Sequence, residues 1–400
     1  MSLDLENVSS QLDAVVSGIR IQSAGHKTRL EEAIKAIKSS DGSAINKKRV
    51  EGKFSWPTPL YSPHPERTYP PLEAPENYCV LATDGSHIDV DRHLPLQCSL
   101  INISKVSLQY GNQPQAHLSS QPRLYTRDHG IKETKSPGVR ALSLEGSLLS
   151  AKRSVDEIIA LAELAEQAPQ QLPVLALVDG SLELWGPTIQ ASPEYIREAL
   201  INQGLISSFA RLQEIARRQP LALAAYISLP RSAGVADGLR LTSCPYDPVN
   251  CELHCSGIVD GDRPCDTVGG LLDRELFSTI LPPGERSELF YSTSSIVQEY
   301  YGPHAVAFYY LNTGDESARV EVPNWVAQDQ NLLALSHTLI LNQCKKGLGY
   351  PAAIMEAHEQ AVINIQDREM FRRMVEDTLA NEGLPVYTSE KDRSKRLRWL

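Results

Sequence analysis

Two aspartates carry the first chemical signal in this 400-residue chain. Asp84 ends the apolar run "YCVLAT" and Asp179 ends "LPVLALV", and each is followed at once by Gly-Ser. A strand that is apolar up to a terminal Asp delivers that carboxylate to the carboxyl edge of its sheet, where open α/β sheets bind ligands. The glycine lets the chain turn sharply, and the serine hydroxyl can hydrogen-bond the turn. Two such strands side by side bring their carboxylates close enough to repel unless a cation joins them, and a divalent metal is the usual partner. One Asp-Gly-Ser is ordinary turn chemistry after a strand, but its repetition at the ends of two core strands favours a metal site.

A third ligand is expected on the helix between these strands. Glu145, Glu157 and Glu163 are the candidates, and helical spacing alone does not separate them. Glu145 lies near the helix start on a stripe with Leu142 and Leu149, where a negative charge also suits the helix dipole. Downstream, "GLGYPAAIMEAHEQAVINIQDREMF" (347–371) holds His358, one turn from Ile354 and one from Val362, and so on an apolar face. A histidine there is more often a core residue than a ligand. Tyr350 precedes the helix start at Pro351, a place that suits an anion such as phosphate.

The elements that must position these residues follow from periodicity. Residues 3–40 read as helix, with Leu5, Val8, Leu12, Val15, Val16 and Ile19 at steps of three and four. The proline-rich stretch 51–76 reads as an extended linker. Strands are expected at 78–83, 96–104 and 105–111, a long helix from Pro137, a strand at 173–179, a helix at about 193–218 and a strand at 221–229. A strand pair turns at Thr313-Gly314-Asp315, and helices are expected at about 328–345 and 351–380. Three strands, helix, strand, helix, strand is the order of a ribonuclease H-like mixed α/β sheet flanked by helices, here with an N-terminal helical arm. The segments are then an arm (1–50), the linker (51–76), a nuclease-sized domain (77–385) with a cysteine-containing insertion (244–265), and a basic tail (386–400).

The bulk composition sets limits on partners. A formal net charge of −10 argues against coating nucleic acid by bulk attraction, yet leaves room for local grip by basic patches such as "KDRSKRLRWL". The apolar runs fall short of a membrane span, and the N-terminus lacks the basic-then-apolar order of a signal peptide, which places the protein in the cytosol. Seven cysteines, an odd number, in such a chain do not form a disulfide framework. Four of them, Cys244, Cys251, Cys255 and Cys265, fall within 22 residues beside His254. Their spacing is not a tight zinc motif, so a structural zinc or iron–sulfur site competes with a loop of reduced thiols.

The doubled Asp-Gly-Ser strands, Arg140 with Glu145 as an R-x4-E helix start, "AAYISLPRS" (224–232) and above all "GYPAAIMEAHEQAVI" resemble the NurA nucleases of DNA end resection, from about residue 78 to 375. The resemblance implies a ribonuclease H-like fold and manganese-dependent cleavage of DNA, resecting strands from the 5′ end and cutting single strands. It places the metal carboxylates on Asp84, Glu145 and Asp179, and the site tyrosine and histidine on Tyr350 and His358. It also implies a homodimer docked on a HerA-type hexameric ATPase. Two Mn²⁺ ions, or Mg²⁺, would activate water and stabilise the leaving oxygen, with Asp84 bridging, His358 as ligand or proton carrier and Tyr350 orienting the phosphate. Arg231 is a candidate contact to the DNA backbone. Two other readings compete. An actin-like phosphotransferase or ATPase also sets Asp-Gly-Ser turns against phosphates, but the chain lacks a second glycine-rich loop for the adenosine. A non-catalytic docking subunit of the ATPase is disfavoured by the intact carboxylates.

Overall fold

The computed structural model describes residues 4–90, 96–126, 131, 144–184, 187–259 and 261–384. Its packing divides into two compact units, each discontinuous in sequence. One gathers Met1–Pro71, Ile227–Ser295 and Ala307–Val320, and the other Leu72–Tyr226, Ile296–Val306 and Glu321–Leu400. This division cuts across the continuous segments read from the sequence, because residues far apart along the chain share each core.

The first unit begins with a helix, Leu5–Ser39, capped by the Asp4 side chain, and a second, Gly42–Glu51, capped by Asp41. Both caps satisfy backbone N–H groups that have no partner inside the helix. Ala33, Ile37 and Ile45 are fully or almost fully buried beside Tyr61, Phe277, Phe290 and Tyr310, so the helices read as an arm supply part of a core. The proline-rich stretch carries two short strands, Leu60–Tyr61 and Thr68–Tyr69, paired antiparallel with Phe290–Tyr291 and Arg286–Ser287. Proline keeps the flanking chain extended, which is the conformation a short edge strand needs. The turn at Thr313 closes through the Thr313 N–H donating to the Glu316 carbonyl at 2.9 Å, with Gly314 at a φ of 99°.

The second unit is built on strands β1 (Tyr78–Thr83), β2 (Gly85–Ile88), β3 (Cys98–Tyr110), β4 (Gln115–Thr126), β5 (Val174–Asp179) and β6 (Leu221–Ile227). β1 pairs antiparallel with β3, which pairs antiparallel with β4 on its other side. β1 also pairs parallel with β5, and β5 parallel with β6. The order β4-β3-β1-β5-β6 is ribonuclease H-like, with β2 continuing β1 along β3 past Asp84. β1 is buried at all six residues and β5 at five, the continuous apolar runs expected where helices cover both faces of parallel strands.

Helix α1 (Gly146–Glu166) lies in the chain between β4 and β5. Its Leu149, Val155, Ile158 and Leu161 share a core with Cys79, Leu81, Ala176 and Phe209. Near the C-terminus come α2 (Gln330–Lys346), α3 (Ala352–Ala361) and α4 (Ile365–Asn381). Among the described residues no helix is long and apolar enough to cross a membrane.

Four details differ from the sequence reading. The two strands expected at 96–104 and 105–111 are one, β3. β4, which was not anticipated, is exposed at Gln115–Leu124 on both faces, so it lacks the alternation that marks a half-buried strand. The long helix expected from Pro137 is helical from Gly146; Arg140 and residues 132–143 lie outside the described residues, as does the basic tail 386–400. The helix expected over 351–380 is two, because Asn364 and Asp367 form a reciprocal capping box that starts α4 afresh.

Candidate functional site

The parallel register of β1 and β5 runs to Thr83 opposite Val178. Asp84 and Asp179 therefore follow as lateral neighbours on adjacent strands, roughly 4.8 Å apart at the backbone. Backbone pairing anchors both, since the Ser104 N–H donates to the Asp84 carbonyl at 2.9 Å and the Gly180 N–H to the Tyr226 carbonyl at 3.0 Å.

The two Asp-Gly-Ser turns use the same letters for different ends. A Cβ on Gly85 would stand 2.6 Å from Glu157 Oε1 and 2.8 Å from Arg153 Cγ, so this glycine lets α1 approach the strand. Gly180 has open space around it but a φ of 92°, so it serves the turn itself. The Ser86 hydroxyl donates to the Ala361 carbonyl at the end of α3. The Ser181 hydroxyl donates to Glu321 Oε2 at 2.7 Å, and the Leu182 N–H to the same oxygen at 2.9 Å.

The third carboxylate beside the aspartates is Glu157. It lies in the middle of α1 with a side chain only 7% exposed. Its Oε1 is 3.3 Å from Arg153 Nε but accepts no hydrogen bond. Burial pushes the Glu157 carboxyl up to about 8, with Arg153 opposing the rise and Asp84 and Asp179 adding to it. Asp179 has solvent access at the strand end, yet protein crowds it on most sides. Desolvation raises its carboxyl, against the Tyr350 hydrogen bond and with the charge of Asp84.

Glu145, the position the family resemblance assigns, is exposed at the N-cap of α1 with no capping hydrogen bond of its own. It does not line the cleft that holds the aspartates. The reason is helix phase and length: α1 starts only at Gly146, and the residue that meets the strand ends lies about three turns further on. Glu163 instead pairs with Lys105 at 2.6 Å. The signal for Glu157 was present in the sequence. It stands inside the apolar run "VDEIIALA", four residues after Arg153, a spacing that pairs the two side chains on one helix face.

His358 and Tyr350 reach the aspartates from the C-terminal helices. His358 Nδ1 is 2.9 Å from Asp84 Oδ2, while Asp84 Oδ1 accepts from the Gly85 N–H at 2.7 Å. The His358 side chain is 61% exposed, so it flanks the buried stripe of Ala353, Ile354, Ala357 and Ala361 rather than belonging to it. The Tyr350 hydroxyl donates to Asp179 Oδ1 at 2.9 Å, and its ring meets Tyr226 edge-on at 5.5 Å. The loop that delivers Tyr350 is tight: a Cβ on Gly347 would lie 2.0 Å from the Tyr350 carbonyl oxygen, and Leu348 and Gly349 both take positive φ. Asp84, Glu157, Asp179 and His358 line one cleft of about 610 Å³ together with Arg153 and Glu183.

Among the described residues no three His, Cys, Asp or Glu side chains converge as a ready-made metal shell. The charge distribution nevertheless suits a divalent cation. Four carboxylates line the cleft, and the Glu157 Oε1 beside the two aspartates is buried with no hydrogen bond from the protein, a deficit that an oxygen-seeking cation fills.

The remaining candidates belong to the other unit and do not line this cleft. Arg231 is exposed. In the cysteine cluster, Cys255 and Cys265 are buried, Cys244 and Cys251 half-buried, and all four are free thiols. Burial and the three neighbouring thiols push the Cys251 thiol up. Arg240 Nη2 lies 3.8 Å from Cys265 Sγ, and the His254 ring stacks on Tyr246 at 4.0 Å.

No curated protein sequence matches the chain. Among solved structures it is similar to the catalytic domain of human endonuclease V, at 15% identity over 86% of this chain and 96% of that one, with a TM-score of 0.31. It is also similar to an Argonaute from Aquifex aeolicus, at 10% identity over 72% and 29% of the two chains and a TM-score of 0.25. The C-terminal lobe of a budding yeast Argonaute aligns at 11% identity over 70% and 45%, with a TM-score of 0.23. The NurA domain model matches residues 79–363, a span that takes in both Asp-Gly-Ser turns, Glu157, Tyr350 and His358, and the chain belongs to the NurA family of nucleases.

Proposed function

We propose that this protein is a metal-dependent deoxyribonuclease that hydrolyses phosphodiester bonds at DNA ends and in single strands. The observation that carries the reading is the buried Glu157 carboxylate, short of a hydrogen bond and set beside the paired Asp84 and Asp179. Asp84, Glu157 and Asp179 would hold Mn²⁺, or Mg²⁺, which supplies the positive charge that activates water and stabilises the leaving oxygen.

The chain's own residues supply the rest. Asp84 keeps its two oxygens distinct, one fixed by the Gly85 N–H and the other facing His358. With His358 Nδ1 turned to Asp84, Nε2 is the ring atom that can hold a proton for the departing oxygen, and the ring's exposure lets solvent exchange it. Tyr350, oriented by Tyr226 and by its bond to Asp179, sets the phosphate against the acid pair. Resection from 5′ ends in double-strand break repair, as a homodimer with a HerA-type hexameric ATPase, completes the proposal by family resemblance.

Purified protein incubated with 5′- and 3′-labelled linear and single-stranded DNA tests it, with Mn²⁺, Mg²⁺ or EDTA. The expected result is divalent-dependent degradation that Asp84→Ala abolishes, with the label pattern giving polarity. Intact DNA under every metal, alone and with the ATPase partner, would remove the nuclease reading.

A further inference from the structure

The edge of β2 offers a second site beside the first, one that deepens the nuclease reading and rests on it. β5 ends at Asp179, level with Asp84, whereas β2 runs on along β3 from Gly85 opposite Ile103 to Ile88 opposite Leu100. Among the described residues β2 is the last strand in the sheet order on that side, and no described strand pairs with its other edge. On that edge the Gly85 carbonyl accepts from Arg153 Nη1 at 3.0 Å, and the His87 carbonyl accepts from Arg368 Nη2 at 3.0 Å. Gly85 and His87 are two residues apart, so the guanidiniums are anchored roughly 7 Å from each other along the strand.

Each guanidinium has five N–H donors, and one bond to a carbonyl leaves the remainder of the fork for an anion. Arg153 is one-third exposed and also faces Glu157, while Arg368 is exposed on the first turn of α4. The charges of both arginines act on the His87 ring. Its Nδ1 is buried without a hydrogen-bond partner. Burial, Arg153 and Arg368 hold its imidazole below the usual range, while Asp89 opposes them. Asp89 itself is engaged, accepting from the Gly146 N–H at 2.9 Å. Two cations, each tied to a strand carbonyl, therefore line one strand edge that leads to Asp84. In a chain with a net charge of −10 and four carboxylates lining its cleft, a polyanion needs such a local foothold.

We propose that Arg153 and Arg368 form a phosphate track along the outer edge of β2, holding successive phosphates of the DNA strand that runs from the cleft past Asp84. Arg153 is the inner member, turning from Glu157 to the strand as the cleft fills, and Arg368 the outer.

The test reads binding rather than cleavage. Fluorescence anisotropy of a labelled single-stranded oligonucleotide is measured in EDTA over a range of salt for the wild type, Arg368→Ala, Arg368→Lys and Arg218→Ala. Arg218 is a control, a surface arginine paired with Glu214. One phosphate contact contributes about 0.7 to the slope of log affinity against log salt for a single strand. The expected result is that Arg368→Ala lowers the slope by about 0.7 and weakens binding about fivefold at moderate salt, while Arg368→Lys keeps the slope and Arg218→Ala changes neither. A slope unchanged in Arg368→Ala, an equal loss in Arg218→Ala, or no binding by the wild type would each overturn the track. The labelled-DNA cleavage assay decides the nuclease reading separately, so the two can fail independently.

Discussion

Two buried carboxylates, Asp273 in the first unit and Glu157 in the second, are treated in opposite ways. Asp273, in the first unit, is fully buried, yet each of its oxygens is met: Oδ1 by the Ala236 N–H at 2.8 Å and Oδ2 by the Tyr310 hydroxyl at 2.6 Å. Glu157, in the second, has an oxygen with no donor, an arginine that approaches without a hydrogen bond, and three further carboxylates in the same cleft. Burial raises both acids, so desolvation does not tell them apart. The supply of donors does. A buried acid completed by its own chain holds the fold together, whereas one left short is completed by something from outside.

The sharpest way to break this contrast is to neutralise each acid. Glu157→Gln is expected to lower divalent-dependent DNA cleavage at least about a hundredfold. Its metal-free melting temperature at pH 8 or above should stay level or rise, because no charge is then buried. Asp273→Ala should do the reverse, losing about 2–4 kcal/mol in denaturant unfolding through the donors it strands, while the folded fraction cleaves at the wild-type rate.

Gly85→Ala comes next. Its methyl would press on Glu157 Oε1, and the expected outcome is about a tenfold fall in cleavage with a loss of about 1–3 kcal/mol by chemical denaturation. The pH dependence has a definite sign. Glu157 binds its proton more tightly in the folded protein than unfolded, so the metal-free fold loses stability as pH rises from about 4.5 towards about 8. A cation must displace that proton. Its affinity, measured calorimetrically, should therefore climb with pH by up to about tenfold per unit and level off above about 8. The smallest effect is expected for Glu145→Gln, which should leave cleavage within about twofold of wild type, since its side chain stands outside the cleft. A large loss there would restore the residue that the family resemblance favoured.

The acid pair was readable because a strand's side-chain alternation and its end are local properties, written in the apolar run and the Asp-Gly-Ser that closes it. The ribonuclease H-like order was readable for the same reason, although one of its strands was misassigned. β4 is exposed on both faces and leaves no apolar alternation to detect. Choosing Glu157 over Glu145 needed the depth at which α1 crosses the strand ends, which depends on where the helix starts. The Arg153–Glu157 spacing and the apolar setting of Glu157 were the local clues. The break between α3 and α4 was also written locally, in Asn364 and Asp367. The pairing of Asp84 with His358 across 274 residues leaves no local trace, and only the motif around Tyr350 and His358 pointed to it.

That same long reach sets an order in time. Asp84 is joined to His358 across 274 positions and Asp179 to Tyr350 across 171, so the site is made of contacts that close large loops, the slow kind in folding. During synthesis the strands that carry the acids emerge well before residues 350–358. The tyrosine and the histidine dock only once that later segment has emerged, so a chain stopped before it holds the acids without the residues that would orient a phosphate or carry its proton.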